Sequence, residues 1–444
     1  MFAMYLMRQK QHIFLNKRMF GLFLANDHLY PESYVEEASL YVHWPYCRKR
    51  CTFCNFNKYL EKDVNHERMR NCLVKEMQHI IEETAVKRVH SVFFGGGTPN
   101  LAEPATIEAV LKAVSDSTQL ITGAEVSMET NPIGNNSAKL EDFKAAGINR
   151  VSVGVQALDD DSLQLLGREH SVEEALKTLE HAIRLFPNRT SADVIYGLPG
   201  QSLGDWSTTL SQLIPLLDDH VSVYQLTLER GTKLFKMCEE GRISPPSEDL
   251  LADMYDLTYD KLRSSGFIAY EISNFSRSLE AQSIHNKAYW HGKQYIGIGP
   301  GAHSRFVPLT PLHARKSSDK LGERVAQGMR EARIQTLEPA PWMKEVESFG
   351  HGTRLRRQQT KREVLGELVA VGLRTSGGVA ESRWRELGAP SLCECFVESP
   401  WLAWLFKSGL LEFSNNSLLA TQSGWKVLDR IIPHLLDELE RAVG

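Results

Sequence analysis

Short apolar runs alternate with longer amphipathic stretches from residue 39 onward, and this alternation constrains the fold more than any other feature of the sequence. Six strand-like runs occur, at residues 40–44, 91–94, 125–129, 150–156, 192–196 and 221–228. Between them, apolar residues recur at helical spacing, as in residues 65–83 and 173–185. Strands separated by helices form parallel sheets. Because no seventh or eighth unit is evident, the sequence predicts an α/β fold, a partial (β/α)6 TIM-like barrel whose open side would admit a large substrate.

The chain changes character on both sides of this region. Residues 1–38 are predicted to be an N-terminal extension, because residues 1–26 lack acidic side chains and mix basic with apolar ones, as mitochondrial transit peptides do. The segment is poor in Ser and Arg, so a disordered or misannotated N-terminus is the alternative. Residues 39–304 are predicted to be the core, 305–360 a charged, proline-containing linker, and 361–444 a mainly helical C-terminal domain.

The composition excludes several classes of protein. The 444 residues carry 51 Lys+Arg and 55 Asp+Glu, a formal charge of −4, which argues against a nucleic-acid partner bound through bulk charge. No apolar run reaches the roughly 18 to 20 residues of a membrane span. Seven cysteines are too few for a disulfide scaffold. These numbers are those of an ordinary globular protein.

Three of the seven cysteines crowd together directly after the first predicted strand. Cys47, Cys51 and Cys54 form Cys-x3-Cys-x2-Cys, and three thiolates so spaced can hold three irons of a 4Fe-4S cluster and leave the fourth iron open. A zinc site and a chance arrangement are the alternatives. A closed zinc site needs a fourth ligand, and His43 lies too close to the strand to be an obvious one.

Polar or glycine-rich residues follow the other predicted strands at the point where each ends. Residues 95–99 read Gly-Gly-Gly-Thr-Pro, where missing side chains let the backbone approach a ligand closely. Glu129, Gln156, Arg168 and Asp193 lie at or near later strand ends. One such residue alone could be a cap, but several on successive strands predict a convergent polar site.

The cysteine motif, with Phe53 between its second and third cysteines, resembles that of the radical S-adenosylmethionine (SAM) superfamily, in which SAM chelates the open iron. Within it, the chain from residue 39 onward resembles the oxygen-independent coproporphyrinogen III dehydrogenases and their HemW-type relatives. The motifs that carry this resemblance are Tyr41-Val-His-Trp-Pro-Tyr-Cys47, Gly95-Gly-Gly-Thr-Pro99, Val153-Gly-Val-Gln156, Gly167-Arg-Glu-His170 and Asp193-Val-Ile-Tyr-Gly-Leu-Pro-Gly200.

The resemblance implies a barrel of the radical SAM type and a set of cofactor residues. Cys47, Cys51 and Cys54 are expected to hold the 4Fe-4S cluster. The residues expected to contact SAM are Tyr41, Phe53, Gly96, Gly97, Thr98, Glu129, Gln156, Arg168 and Asp193.

Two features favour the HemW-type branch, whose members are regarded as haem chaperones without dehydrogenase activity. Coproporphyrinogen dehydrogenases carry a further cysteine where this chain has Phe56. His285-Asn-Lys-Ala-Tyr-Trp290 resembles the HNxxYW motif of HemW proteins. A neutral imidazole can ligate haem iron, so His285 is a candidate haem ligand, with hydrogen bonding inside the fold as the alternative.

The predicted function is therefore that of a mitochondrial haem-binding chaperone that carries a 4Fe-4S cluster and SAM. Its expected partners are haem and mitochondrial haem-acceptor proteins, and a homodimer is left open. The alternative is a radical SAM oxidoreductase that acts on coproporphyrinogen III or another porphyrin precursor, because all the residues expected to contact SAM are present.

Overall fold

A long, mostly parallel sheet with helices on its flanks forms the larger part of the molecule. The computed structural model describes residue 30 and residues 32–132, 136–309, 329–396 and 399–443. Residues 1–29 and 31 of the predicted N-terminal extension (1–38) therefore lie outside the described residues, whereas residues 32–38 contain a short helix and the start of the first strand. The strands are β1 Glu37–Trp44, β2 Tyr46–Cys47, β3 Tyr59–Leu60, β4 Arg88–Gly96, β5 Gln119–Thr130, β6 Arg150–Gln156, β7 Thr190–Tyr196, β8 His220–Gln225, β9 Ile268–Ala269, β10 Asn274–Ser276, β11 Tyr295–Ile298, β12 His303–Phe306, β13 Glu331–Gln335, β14 Thr353–Gln358, β15 Val379–Ala380, β16 Leu411–Ser414 and β17 Ser417–Ala420.

Helices occupy most of the intervals between the strands. They are α1 Glu32–Val35, α2 His66–Glu82, α3 Pro104–Ser117, α4 Asn136–Ala145, α5 Asp160–Leu165, α6 Val172–Leu185, α7 Leu203–Leu213, α8 Lys233–Glu239, α9 Glu248–Ser264, α10 Ile284–Trp290, α11 Pro339–Phe349, α12 Lys361–Gly372, α13 Glu381–Glu386, α14 Leu392–Phe396, α15 Pro400–Lys407, α16 Gln422–Lys426 and α17 Leu428–Val443. None of the helices among the described residues combines the length and apolarity that crossing a bilayer would require.

The six predicted strand-helix units are present in the main sheet. Its strand order is β14-β13-β12-β11-β1-β4-β5-β6-β7-β8-β10-β9, and the strands from β1 to β8 in this order pair in parallel. The α/β prediction is therefore confirmed. The sequence missed a seventh parallel strand, β11, which pairs with β1. With only four residues, β11 is too short to produce a period of its own.

Local sequence explains where two of the long helices begin. Asn65 caps α2 by accepting a hydrogen bond from the backbone N–H of Arg68, and Ser171 forms a capping box with Glu174 at the start of α6. The buried face of α2 belongs to the same hydrophobic core as the outward side chains of β1, such as Leu40. Both helices match their predicted ranges to within one residue at each end.

Where the structure describes the segment 305–360, predicted to be a linker, it shows strands and a helix instead. Within its described residues, β13 and β14 extend the sheet beyond β12, and α11 packs against α2. The prediction was wrong because charge was taken as a sign of solvent exposure. Arg333 is fully buried, and its guanidinium pairs with Glu331 at 2.6 Å and with Glu83 at 2.7 Å. The buried charge of Arg333 is thus compensated inside the protein.

The C-terminal residues are mainly helical, with one small sheet in the order β15-β17-β16. This part contacts the main sheet through backbone hydrogen bonds: Ile272 N–H donates to the Arg374 carbonyl at 3.1 Å, and Ser376 N–H donates to the Tyr270 carbonyl at 3.1 Å. Trp425 adds an indole N–H bond of 3.0 Å to the Leu373 carbonyl. The turn after α12 is thereby fixed to the loop that follows β9.

Candidate functional site

A cavity at the carboxyl ends of the parallel strands brings most of the predicted site residues together. Parallel α/β sheets place their ligand sites at this edge, because the loops there converge. The predicted residues that line the cavity are Cys47, Cys51, Phe53, Cys54, Gly96, Gly97, Thr98, Glu129, Gln156, Arg168 and Asp193. Residues more than 140 positions apart in the sequence thus share one wall.

The three cysteines of the motif face this cavity, and two of their sulfur atoms accept hydrogen bonds. The Thr98 hydroxyl donates to Cys47 Sγ at 3.4 Å, and the Arg168 guanidinium donates to Cys51 Sγ at 3.4 Å. Burial raises the pKa of Cys47 to about 11, and it also raises the pKa of Cys54, while the Lys58 ammonium opposes that rise. Donors aimed at sulfur stabilise thiolates, the form that binds iron.

The number of thiols bears on the two kinds of metal site that the sequence left open. Three cysteines, Cys47, Cys51 and Cys54, line the cavity. A closed zinc site needs four ligands around one ion, whereas a 4Fe-4S cluster with one open iron takes three thiolates. This donor set therefore suits a three-cysteine cluster better than a closed zinc site.

Two partly buried carboxyls face the cavity without a cationic partner among the described residues. Glu129 Oε2 accepts the Gly96 N–H at 3.1 Å, and burial raises the pKa of Glu129 to about 7. Asp193 accepts the Ser152 hydroxyl at 2.6 Å, and burial raises its pKa as well. Carboxyls without a counter-charge favour a cationic ligand. SAM carries an ammonium and a sulfonium group, so its positive charges suit the part of the cavity formed by these two carboxyls.

Glycines 96 and 97 are required by close backbone approach at the edge of the cavity. A Cβ on Gly96, whose φ is +117°, would lie 2.6 Å from the His43 ring, and one on Gly97 would lie 2.8 Å from the Tyr46 carbonyl oxygen. Any side chain here would displace the loop that carries Cys47.

Arg168 is held in place by a residue that sequence analysis overlooked. Its guanidinium donates to Asn131 Oδ1 at 2.8 Å and to the Gly154 carbonyl at 3.2 Å, and Asn131 Nδ2 donates to the Thr98 hydroxyl at 3.2 Å. Asn131 therefore connects three strand ends. Its position two residues after Glu129, at the end of the third predicted strand, was the signal that could have identified it.

Two predicted residues, Tyr41 and His285, do not line this cavity. The Tyr41 hydroxyl bonds to His43 Nδ1 at 3.0 Å. His285 is fully enclosed: Nδ1 bonds to the Ser91 hydroxyl at 3.0 Å, Nε2 bonds to the Tyr289 hydroxyl at 3.2 Å, and burial holds its pKa well below the ordinary value. His285 lies beside Ser91, towards the amino end of β4, whereas Tyr41 lies in the middle of β1 with its ring stacked on Phe93.

Helix α10, which carries the HNxxYW motif, is anchored at that amino end by a buried carboxylate. Glu125 of β5 accepts hydrogen bonds of 2.9 Å from the Ser283 hydroxyl and from the backbone N–H groups of Ile284 and His285. Arg150 lies 3.8 Å from Glu125 and donates to the chain just before the helix. The motif is thus fixed against the same sheet that carries the cofactor cavity.

A buried hydrogen-bonded chain connects the cavity with α10. Ser191 donates to Asp193 at 3.4 Å and bonds to His220 Nδ1 at 2.8 Å, and His220 Nε2 bonds to the Tyr270 hydroxyl at 2.9 Å. Asn286 Nδ2 of α10 donates to the same hydroxyl at 3.3 Å. The two regions are therefore physically continuous through polar side chains.

Comparison with known proteins agrees with this geometry. The family model described as Radical SAM superfamily matches residues 41–213. Coproporphyrinogen III oxidase (HemN) of Escherichia coli shares the fold, with a TM-score of 0.71 over 90% of each chain at 23% identity.

Relatives match over most of the chain. The Bos taurus protein named radical S-adenosyl methionine domain-containing protein 1, mitochondrial, is 46% identical over 92% of this chain and 89% of its own. The Danio rerio protein of that name is 47% identical over the same shares. Heme chaperone HemW of Bacillus subtilis is 30% identical over 90% of this chain and 100% of its own. The predicted mitochondrial location agrees with the names of the vertebrate relatives. With its cysteine cavity and these relatives, the chain belongs to the radical SAM superfamily and, within it, to the HemW-type family that includes radical S-adenosyl methionine domain-containing protein 1.

Proposed function

We propose that this chain is a mitochondrial haem-binding chaperone that carries a 4Fe-4S cluster and SAM and passes haem to acceptor proteins. The observation that supports this most directly is the full-length relationship to a protein named heme chaperone, at 30% identity. The cavity supplies the cofactor part of the proposal, because its residues match the chemistry of both cofactors.

Three thiols and two carboxyls would hold these cofactors. Cys47, Cys51 and Cys54 would bind three irons, and Glu129 and Asp193 would face the positive charges of SAM. When bound, the cluster could deliver an electron to SAM. The protein's own contribution is to orient the ligand, since both carboxyls line the cavity and are held by hydrogen bonds, Glu129 to the Gly96 N–H and Asp193 to the Ser152 hydroxyl.

Phe56 favours the chaperone over the porphyrinogen oxidoreductase. It lines the cavity close to the cysteine motif, where the dehydrogenase branch has a thiol. Phenylalanine cannot donate a proton or bind a metal, so this chain has no thiol at that position of the cavity. The neighbouring Asn55 amide instead bonds to Glu229 at 3.1 Å.

Replacing Glu129 by glutamine should weaken SAM binding while leaving the cluster intact. The change removes the carboxylate but keeps the side-chain shape, and a hydrogen bond to a charged group contributes about 1.5–3 kcal/mol, or roughly 10- to 100-fold in affinity. Calorimetric titration of the reconstituted protein with SAM measures this. Glu180→Gln, on the exposed face of α6, is the matched control. Equal SAM affinity in the wild-type and Glu129→Gln proteins would remove Glu129 from the binding site.

The proposed function is tested with anaerobically purified, reconstituted protein. Haem is titrated by absorbance, and parallel samples are assayed for coproporphyrinogen III consumption and 5'-deoxyadenosine release. The transfer of bound haem to apomyoglobin is then measured, and its rate is compared with the rate at which haem is released from the protein into buffer. We expect the protein to bind haem stoichiometrically and to transfer it to apomyoglobin, without consuming coproporphyrinogen III. Substrate-dependent 5'-deoxyadenosine release with porphyrinogen oxidation would contradict the proposal and identify an oxidoreductase.

A further inference from the structure

Two side chains that donate hydrogen bonds to the cysteine sulfurs are held by the same amide. Arg168 Nη1 donates to Cys51 Sγ at 3.4 Å. The Thr98 hydroxyl donates to Cys47 Sγ at 3.4 Å. Asn131 Oδ1 accepts from Arg168 Nη2 at 2.8 Å, and Asn131 Nδ2 donates to the Thr98 hydroxyl oxygen at 3.2 Å. A continuous chain of hydrogen bonds therefore runs from Cys51 to Cys47, with Asn131 at its centre.

The chemistry of the two outer groups determines how the Asn131 amide is oriented. A guanidinium has donors only, so the Asn131 atom that contacts Arg168 is the oxygen, and the NH2 group then points to Thr98. A hydroxyl has a single proton, and because the Thr98 oxygen accepts from Asn131, that proton is available for Cys47 Sγ. The direction of every hydrogen bond in the chain is therefore fixed, and both ends of the chain donate to sulfur.

The backbone of Asn131 is fixed by contacts outside the set of residues expected to bind the cofactors. Asn131 N–H donates to Asn100 Oδ1 at 3.2 Å, and Asn100 Nδ2 donates to the Asn131 carbonyl at 3.0 Å. Asn100 is buried, and Pro132, which follows Asn131, disfavours a helical backbone at Asn131. The protein itself therefore holds the amide at this position.

This chain of hydrogen bonds lies in the wall of the cofactor cavity, which its five residues line. A cation that donates to an amide oxygen polarises the amide and strengthens the hydrogen bond that the amide N–H donates in turn. The positive charge of Arg168 therefore acts on both sulfurs, on one directly and on the other through the amide and the hydroxyl.

We infer that Asn131 is a positioning residue that sets the reduction potential of the 4Fe-4S cluster through Arg168 and Thr98. Hydrogen bonds to the sulfurs help to set the reduction potential of such clusters, because they stabilise the additional negative charge of the reduced state. Asn131 holds the two donors that contact the sulfurs of Cys47 and Cys51. The inference rests on the proposed function, since it concerns the cluster that this function includes.

The inference is tested by spectroelectrochemical titration of the reconstituted full chain without SAM. SAM is omitted because Arg168 and Thr98 are also expected to contact it. Asn131→Leu removes both side-chain hydrogen bonds at a similar side-chain volume, so the reduction potential should shift to a more negative value while the iron content stays the same. Thr98→Val, which removes one hydroxyl, should shift it in the same direction. Asn71→Leu, the same change on the exposed face of α2, should leave the potential at the wild-type value.

Combining the two changes separates a positioning role from a general effect on the fold. If Asn131 acts through Thr98, the shift in the Asn131→Leu/Thr98→Val protein should be smaller than the sum of the two single shifts, because both changes remove the same donor to Cys47. Shifts that add would overturn the inference. A wild-type potential in an Asn131→Leu protein with full iron content would overturn it as well.

Asn131→Asp decides the question if the Asn131→Leu protein assembles no cluster. Aspartate keeps an acceptor for Arg168 but offers no donor, so the Thr98 proton turns from Cys47 to the carboxylate. The potential should again be more negative than in the wild type, and adding Thr98→Val should shift it little further. A wild-type potential in Asn131→Asp, or an added shift as large as that of Thr98→Val alone, would overturn the inference.

Failure of this inference is distinguishable from failure of the proposed function. If the wild-type chain assembles no cluster, the cofactor part of the proposed function fails and the inference fails with it. If the wild type assembles a cluster whose potential is the same in every variant, only the role of Asn131 fails. If the wild type binds no haem but the variants shift the potential as expected, the chaperone function fails and the role of Asn131 stands.

Discussion

Replacing Cys51 by alanine will leave a folded chain that holds no iron-sulfur cluster. Cys51 is only partly buried, and its sulfur contacts the Arg168 guanidinium at 3.4 Å, so alanine removes one ligand and little packing. Two thiolates cannot hold a cluster whose fourth iron depends on an exchangeable ligand. Iron content after anaerobic reconstitution should fall from about four atoms per chain to near zero, and the visible absorbance of the cluster should disappear.

Cys393→Ala is the matched control for this experiment. Cys393 is exposed and lies outside the cofactor cavity, so its loss should leave the iron content unchanged. Far-ultraviolet circular dichroism of both variants checks that the fold is retained. Full iron content in Cys51→Ala, together with loss of iron in Cys393→Ala, would mean that the cysteine motif is not the cluster site.

Replacing Glu125 by alanine should lower the free energy of unfolding by about 3–5 kcal/mol, the usual effect of breaking a buried ion pair. Glu125 is 0% exposed and Arg150 is 3% exposed, so the change leaves a buried guanidinium without its counter-charge. It also leaves the Ser283 hydroxyl and two backbone N–H groups at the start of α10 without their acceptor. Chemical denaturation at neutral pH measures the loss.

Glu125→Gln separates charge from hydrogen bonding at this position. Glutamine keeps one acceptor oxygen but has no charge, so its free energy of unfolding should lie between those of the wild type and the alanine variant. Glu180→Ala, which removes an exposed ion pair with Arg184, should change the value by no more than about 0.5 kcal/mol. Equal stability of Glu125→Ala and the wild type would show that α10 is held by its apolar contacts alone.

Much of the cofactor cavity could be predicted because local patterns determine it. Each strand end carries its polar residue immediately after a recognisable apolar run, as Glu129 and Gln156 do, and parallel strands bring such ends to one edge of the sheet. Asn131 was not predicted as a site residue because an Asn before Pro is typical of a turn. Its hydrogen bonds to Arg168 and Thr98 form only when the ends of three separate strands come together.

The errors and gaps arose where long-range pairing overrides local pattern. The charges of β13 suggested solvent, but Arg333 is compensated by Glu83, 250 positions earlier in the chain. The HNxxYW motif predicts a haem ligand at His285; the structure adds that the ring nitrogens bond to Ser91 and Tyr289, and the haem role stays a prediction. No short window of sequence contains both Arg333 and Glu83, or both His285 and Ser91.

The sequence by itself determined the α/β alternation, the triad of cysteines and the order of polar strand ends, because strand and helix periods and ligand spacing are local properties of the chain. Only the tertiary structure decided that β11 pairs with β1, that Glu125 anchors α10, and that Asn131 connects Arg168 to Thr98. The physical reason is that burial and hydrogen-bond partnership depend on which distant strands become neighbours, and that is determined by packing of the whole sheet.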